Sequence, residues 1–451
     1  MKFQGPSAIL DAPLPVGRLA LSAVGAAAES VEAFAARRGR GVAPSSDPLS
    51  SDALGLSAHS HWVADSFGSI GRLRIDGAQA PGFAPLSGFF ACSDGWVRTH
   101  ANYPHHRDAL TAALGLTSAD REAAAGAFGR LDAVDAADRI TAAGGIAVPV
   151  GSARDWPEHP AFGRPVGASG RAIATGGEAP GPEAAERRLN EVPAERRSLP
   201  LAGLRIVSLT RVIAGPTAAR WLATLGATVV RIDPPQLSEL LAQHLDTDFD
   251  QVVTRLDVRR EPGRSALARL LAGADGLLLG YRPDALAGLG LDAESLMAEH
   301  PHLSVATIQA WDPRGEWATR RGFDSIVQAA SGIALACGTD DAPGALPVQA
   351  LDHATGYRAA AGLVRGLAEG RGGVRTYALA DAAADLLGFG QQSLPSPSTG
   401  PVDLDPGPDT ASTPSAYGTL EYVPPPVAID GRRLDYSTPP QQYTTLPSWS
   451  S

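Results

Sequence analysis

The stretch that decides the fold is Leu201–Pro235, LAGLRIVSLTRVIAGPTAARWLATLGATVVRIDPP. Leu204–Leu209 is a short apolar run with β-branched residues, which reads as a buried strand. Ala214-Gly215-Pro216 is a turn opening a helix, with Pro216 near its first position, where a missing N–H costs nothing. Thr217–Leu225 is helical in composition and Gly226 is placed to end it as a C-cap. Ala227–Ile232 is a second strand, stopped by Asp233-Pro234-Pro235. The spacing therefore predicts a βαβ unit, the start of a doubly wound parallel sheet.

Three further segments extend this reading downstream: Asp275–Gly290 (DGLLLGYRPDALAGLG), Arg321–Gly332 (RGFDSIVQAASG) and Glu369–Leu387 (EGRGGVRTYALADAAADLL). With Leu201–Pro235 they stand in the order of four motifs of one family. Over roughly residues 200–390 the chain resembles the family III (CaiB/BaiF) CoA-transferases. The fold class expected is α/β, a Rossmann-like doubly wound parallel sheet of that type with a smaller α+β domain.

Earlier segments add to the resemblance. Asp94–Leu116 (DGWVRTHANYPHHRDALTAALGL), the helix and strand expected over Ala133–Ala143 and Ile146–Pro149, and the Asp155–Arg164 loop resemble the family's small domain. Residues 14–165 thus look like the second half of a member, placed ahead of a first half. The organisation expected is a second-half-like block at 14–165, a Gly/Pro/Glu/Arg-rich linker at 166–199, the CoA-binding block at 200–390 and a Pro/Ser/Thr-rich tail at 391–451. Within these, Leu14–Arg38 reads as a long helix, 42–56 as a linker, Gly71–Asp76 as a strand and Tyr103–Leu114 as a helix. Leu14–Gly41 and His353–Gly373 look like a weak internal repeat. The tail's composition says disorder, but Tyr417–Tyr422, Val427–Ile429 and Trp449 are placed to anchor it on the surface. The resemblance implies a homodimer; the reordered halves imply the alternative of a self-complementing monomer.

The net charge of −10 argues against nucleic-acid binding. Lys2 is the single lysine, so the basic residues are arginines. Two cysteines make no disulfide framework, which suits a cytoplasmic location. Met1–Leu10 has no signal-peptide pattern, and no apolar run of about 18 residues predicts a membrane span. His100, His105 and His106 cluster locally, but adjacent helical side chains point about 100° apart, so no metal site is expected. No G-x-G-x-x-G follows the first strand, which argues against a dinucleotide cofactor.

Asp352, in LDHATGYRAAAGL, precedes a helix. As a bare residue it reads as an N-cap; the resemblance implies the catalytic aspartate. A carboxylate can attack an acyl-CoA thioester and pass CoA to a carboxylic acid through an anhydride and an aspartyl-CoA, with CoA as substrate and no cofactor. The resemblance further implies CoA contacts from Arg211, Val212, Ala214, Arg231, Tyr281 and Arg321. For the arginines the plain alternative is a solvated surface, and for Tyr281 core packing. Ser87-Gly88 stands where relatives carry a glycine-rich oxyanion loop. Phe323 occupies the position of the racemase histidine of this superfamily, which disfavours racemase chemistry, and Asp324 reads as a cap for the helix after it. The rival to an active transferase is a catalytically degenerate acyl-CoA-binding or regulatory homologue.

Overall fold

The computed structural model describes residues 1–39, 55–159, 170–389, 407, 409–445 and 449. Most of the linker expected over 42–56 and the first part of the tail lie outside them. Six parallel strands form the central sheet: Arg205–Leu209, Thr228–Asp233, Val252–Arg255, Gly276–Leu279, Ser304–Gln309 and Arg371–Ala378. Numbered along the chain, they lie side by side in the order 3-2-1-4-5-6. That is a doubly wound order, and it opens a crevice between the first and fourth strands at their carboxyl ends. The Gly276–Leu279 strand is continuously apolar and buried, as in a strand covered on both faces. Ile206 and Leu278 face one core, while Val207, Leu209, Leu277 and Leu279 face the other.

The βαβ reading holds to within three residues. The first helix spans Ala214–Thr224, with Gly226 at φ +108° just beyond it. This helix crosses the Ala350–Glu369 helix at Gly356, where a Cβ would sit 2.2 Å from the Ala214 carbonyl oxygen. Only a glycine lets the two helices approach so closely.

The Val16–Arg37 helix packs along Ala350–Glu369, so the two segments of the suspected repeat lie against each other. By length and composition this helix is apolar enough to cross a membrane, contrary to the expectation that no such run exists. Most of its Ala, Val, Leu and Phe side chains are buried in the main core, as befits a helix between layers of a protein.

A smaller three-stranded sheet, Phe89–Ala91, Trp96–Thr99 and Ala147–Pro149, has its own apolar cluster around Phe90, Val97, Leu110, Phe128 and Ile140. The helices Pro104–Ala113, Arg121–Phe128 and Ala133–Ala142 pack on it.

Three expectations change. Within the supposed linker, Arg171–Glu178 is a strand pairing antiparallel with Arg371–Ala378, and Gly181–Arg187 is a helix. Glycines there mark close backbone approach rather than slack: a Cβ on Gly176 would lie 2.4 Å from the Pro301 oxygen. Gly71–Asp76 divides into a helical turn, Ser69–Arg72, and a short strand, Arg74–Ile75. Compositional disorder does not hold for the later tail. Ala411–Ser415 and Gly418–Tyr422 form a hairpin on Arg74–Ile75, and Tyr436 stacks on Phe249 with ring centroids 4.3 Å apart. The expected anchors are in place, since the tail's backbone partners are strands elsewhere in the chain.

Candidate functional site

A cavity of about 280 Å³ opens at the crevice. The loops after the first and fourth strands, which carry Arg211–Gly215 and Gly280–Pro283, form two of its walls. Asp352, in the first turn of the Ala350–Glu369 helix, lies in the cavity. Tyr103, His105 and His106 reach it from the smaller sheet's segment, so residues from both blocks meet at one place.

Asp352 is buried, and its carboxylate makes neither a hydrogen bond nor an ion pair among the described residues. The cap of its helix comes from Asp324, whose Oδ2 accepts the N–H groups of Leu351 at 2.8 Å and Asp352 at 3.0 Å. Asp324 therefore caps the helix carrying Asp352, not the helix that follows itself in sequence. Gln328 donates to the other oxygen of Asp324. Burial, then the Asp324 charge, raises the Asp352 carboxyl well above the ordinary range. Burial also raises Asp324, to about 6, against the pull of those hydrogen bonds and of Arg98. The two carboxyls form a coupled pair in which the second ionisation is resisted by the first.

Of the expected CoA contacts, Arg211, Val212, Ala214, Tyr281 and Arg321 line the cavity. Val212 has φ +69°, a strained conformation for a β-branched residue that costs about 1–3 kcal/mol. Glu239 holds it there by accepting the Val212 N–H at 2.8 Å. Tyr281 also walls an adjoining, largely apolar cavity of about 500 Å³, and its buried hydroxyl has no hydrogen-bond partner among the described residues. Arg321 donates to the Gly144 oxygen at 2.9 Å, which fixes it at the edge of the smaller sheet's unit.

Arg231 does not reach the cavity. It is fully buried, and its guanidinium is spent on Asp233, Asp248 and Glu239 at 2.6–3.2 Å. Alternation along the Thr228–Asp233 strand turns it inward, and three carboxylates compensate its charge. The Ser87-Gly88 loop is likewise absent from the wall. The Ser87 N–H goes to the Ala84 oxygen at 2.8 Å and the Gly88 N–H to Thr99 Oγ1 at 3.3 Å, so neither donor is free for an oxyanion.

Sequence reading missed Arg282 and Arg320, which line the cavity beside Arg211 and Arg321. The Arg320 guanidinium lies 4.0 Å from the centre of the Trp317 ring. Arg282 stands in the quoted YRP motif and Arg320 beside Arg321, so both signals were in view. His106 was weighed only as a metal ligand. Burial pushes it and His100 down to about 3, so both imidazoles are neutral at physiological pH. The His100 ring stacks on Phe323 at 3.8 Å. The site as built is a desolvated carboxyl in a cavity lined by four arginines. Such an arrangement suits an anionic ligand with an electrophilic carbon placed against the carboxylate.

Comparison with known proteins gives the same direction. Residues 201–399 match the model of CoA-transferase family III. A succinate–glutarate CoA-transferase of Agrobacterium fabrum is 29% identical over 214 residues, covering 42% of this chain and 54% of the relative. A formyl-CoA:oxalate CoA-transferase of Escherichia coli is 27% identical over 206 residues, covering 42% and 50%. The chain thus spans about half the length of these curated relatives. Among solved structures, a CaiB/BaiF family protein from Brucella suis is 26% identical with a TM-score of 0.40, covering 49% of this chain and 65% of that one. The match to CoA-transferase family III lies over the strands and loops that carry Arg211, Tyr281, Arg321 and Asp352, so this part of the chain is similar to that family.

Proposed function

We propose that the protein transfers CoA between an acyl-CoA and a carboxylic acid, with Asp352 as nucleophile. The observation that carries this reading is the buried, unbonded Asp352 carboxylate in an arginine-rimmed cavity at the crevice. The carboxylate attacks the thioester carbon, the C–S bond breaks, and an aspartyl anhydride and CoA thiolate result. The thiolate attacks the aspartyl carbonyl and expels the first acid as carboxylate, leaving aspartyl-CoA. The incoming carboxylate then takes the aspartyl group as a new anhydride and frees thiolate. Thiolate attack on the acyl carbon restores Asp352. Thioester energy is conserved at each exchange, and CoA enters as substrate rather than as a bound cofactor.

In this proposal Arg282, Arg320 and Arg321 take the phosphates of CoA and Arg211 supports the chain leading to Asp352. Tyr281 places its ring at the mouth of the apolar cavity, where an adenine fits. In this reading the segment 89–149 acts as a smaller domain beside a Rossmann-like domain of the family type, which the Val16–Arg37 helix and the Arg171–Glu178 strand join and the described tail segment 409–445 straps. Both contribute to one cavity within one chain, which supports a self-complementing monomer over an obligate homodimer. Arg321→Ala is expected to weaken CoA binding about tenfold, the loss of one charge-assisted contact. Calorimetry with CoA checks it; unchanged affinity removes Arg321 from the site.

The pH dependence follows from the carboxyl pair. Attack requires ionised Asp352, so kcat/KM falls on the acid side, along a limb displaced above the ordinary carboxyl range. Asp324→Asn removes the neighbouring charge and is expected to shift that limb to lower pH. An unmoved limb shows that Asp324 does not act on Asp352. Stability runs the other way. The folded chain holds these protons longer than the unfolded one, so the pair's contribution to unfolding free energy declines as pH rises above about 4.

A second reading, an acyl-CoA binder without turnover, is favoured by one observation: the Ser87 and Gly88 N–H groups are consumed within their own loop. Hydroxylamine trapping after incubation with an acyl-CoA panel separates the two, since only a transferase forms an adduct at Asp352.

A further inference from the structure

Glu239 stands outside every motif quoted from the sequence, yet its carboxylate joins the two walls of the cavity. It is buried, with a side chain 1% exposed. Oε1 accepts the Tyr103 hydroxyl at 2.7 Å and the Leu240 N–H at 2.9 Å. Oε2 accepts the Val212 N–H at 2.8 Å and one N–H of Arg231 at 3.2 Å. The Arg211 guanidinium lies 3.6 Å from Oε1 and 5.0 Å from the centre of the Tyr103 ring.

These contacts belong to separate parts of the chain. Tyr103 immediately precedes the Pro104–Ala113 helix, which brings His105 and His106 to the cavity. Arg211 and Val212 belong to the loop after the first parallel strand. Glu239 sits between them, on the segment after the second parallel strand, and Arg231 fixes it from beneath.

We infer that Glu239 is a positioning residue: it clasps Tyr103 against the Arg211-Val212 loop and so holds the smaller unit closed over bound CoA. The inference rests on the CoA-transfer reading for its ligand, but the clasp itself does not. A carboxylate is required because two donors from separate stretches of chain, one hydroxyl and one N–H, converge on it while its charge is shared with Arg211 and Arg231. The strained Val212 peptide persists because the clasp over-determines it.

The test uses the full chain and two variants. Tyr103→Phe removes one hydrogen bond and leaves every charge in place. Glu239→Gln keeps an acceptor for Val212 and removes the charge. Urea unfolding midpoints establish that the variants fold. Tyr103→Phe is expected to keep the wild-type midpoint closely, bind CoA about tenfold more weakly and raise KM by a similar factor, with kcat within about twofold. Glu239→Gln is expected to show a larger loss of the same kind. Hydrogen exchange of the 104–113 amides reads the clasp without any ligand, and faster exchange in Tyr103→Phe supports it. Unchanged exchange in both variants overturns the clasp. Unchanged CoA affinity, in a wild type that binds CoA, overturns its role in ligand binding. Failure of wild type to bind CoA overturns the transfer reading, and exchange then decides the clasp separately.

Discussion

Asp352→Ala should abolish CoA transfer, by more than about a thousandfold in kcat, while leaving a folded chain that binds CoA within about twofold of wild type. The structure makes the second half of this expectation strong. An aspartate just inside a helix commonly caps it, and truncating such a cap costs about 1 kcal/mol. Here the capping oxygen belongs to Asp324, so the helix keeps its cap when Asp352 is removed. Truncation also relieves a buried carboxyl facing another carboxyl. The urea midpoint should therefore hold or rise. Three measurements on one variant decide the matter: turnover with an acyl-CoA panel, CoA calorimetry and urea unfolding. Loss of folding would make Asp352 structural, and undiminished turnover would move the nucleophile elsewhere.

Arg231→Ala should have the largest effect on stability, about 3–5 kcal/mol, a substantial part of what a folded domain possesses. Removing the guanidinium strands Asp233, Asp248 and Glu239 without their shared cation in a fully buried site. The His244–Asp248 contact at 2.6 Å and the Tyr443 hydroxyl on Asp233 at 2.6 Å belong to the same network. The tail therefore loosens with it, and a urea midpoint well below wild type is the expected result. Arg321→Ala should do the reverse, sparing the midpoint and weakening CoA binding. A stable Arg231→Ala that had lost CoA would return Arg231 to the ligand site and refute the burial argument.

The contrast between these two arginines shows how far the site was legible in advance. Both occupy motif positions, and residue type alone gives both a phosphate-binding reading. Asp352, Arg211, Val212 and Ala214 came from the family resemblance, and all four line the cavity; as a bare residue Asp352 reads as no more than a helix cap. Ser87 and Gly88 were misplaced because a short Ser-Gly turn does not reveal where its N–H groups are spent. Glu239 was invisible, since a single glutamate in PPQLSEL carries no pattern; its five neighbours come from four separate stretches of chain.

By itself, the sequence determined the apolar strands with their helix between them, the family match over 201–399 and the residue types able to bind an anion. These are local properties of spacing and chemistry. Tertiary structure alone decided which arginines face the cavity, which carboxylate caps the helix of Asp352, and that 170–199 and 409–445 are ordered elements. The reason is common to all of them. Burial, charge compensation and strand pairing depend on partners distant in the chain, such as Thr444 against Thr254 or Arg171 against Thr376, and a residue's own neighbours in sequence do not encode them.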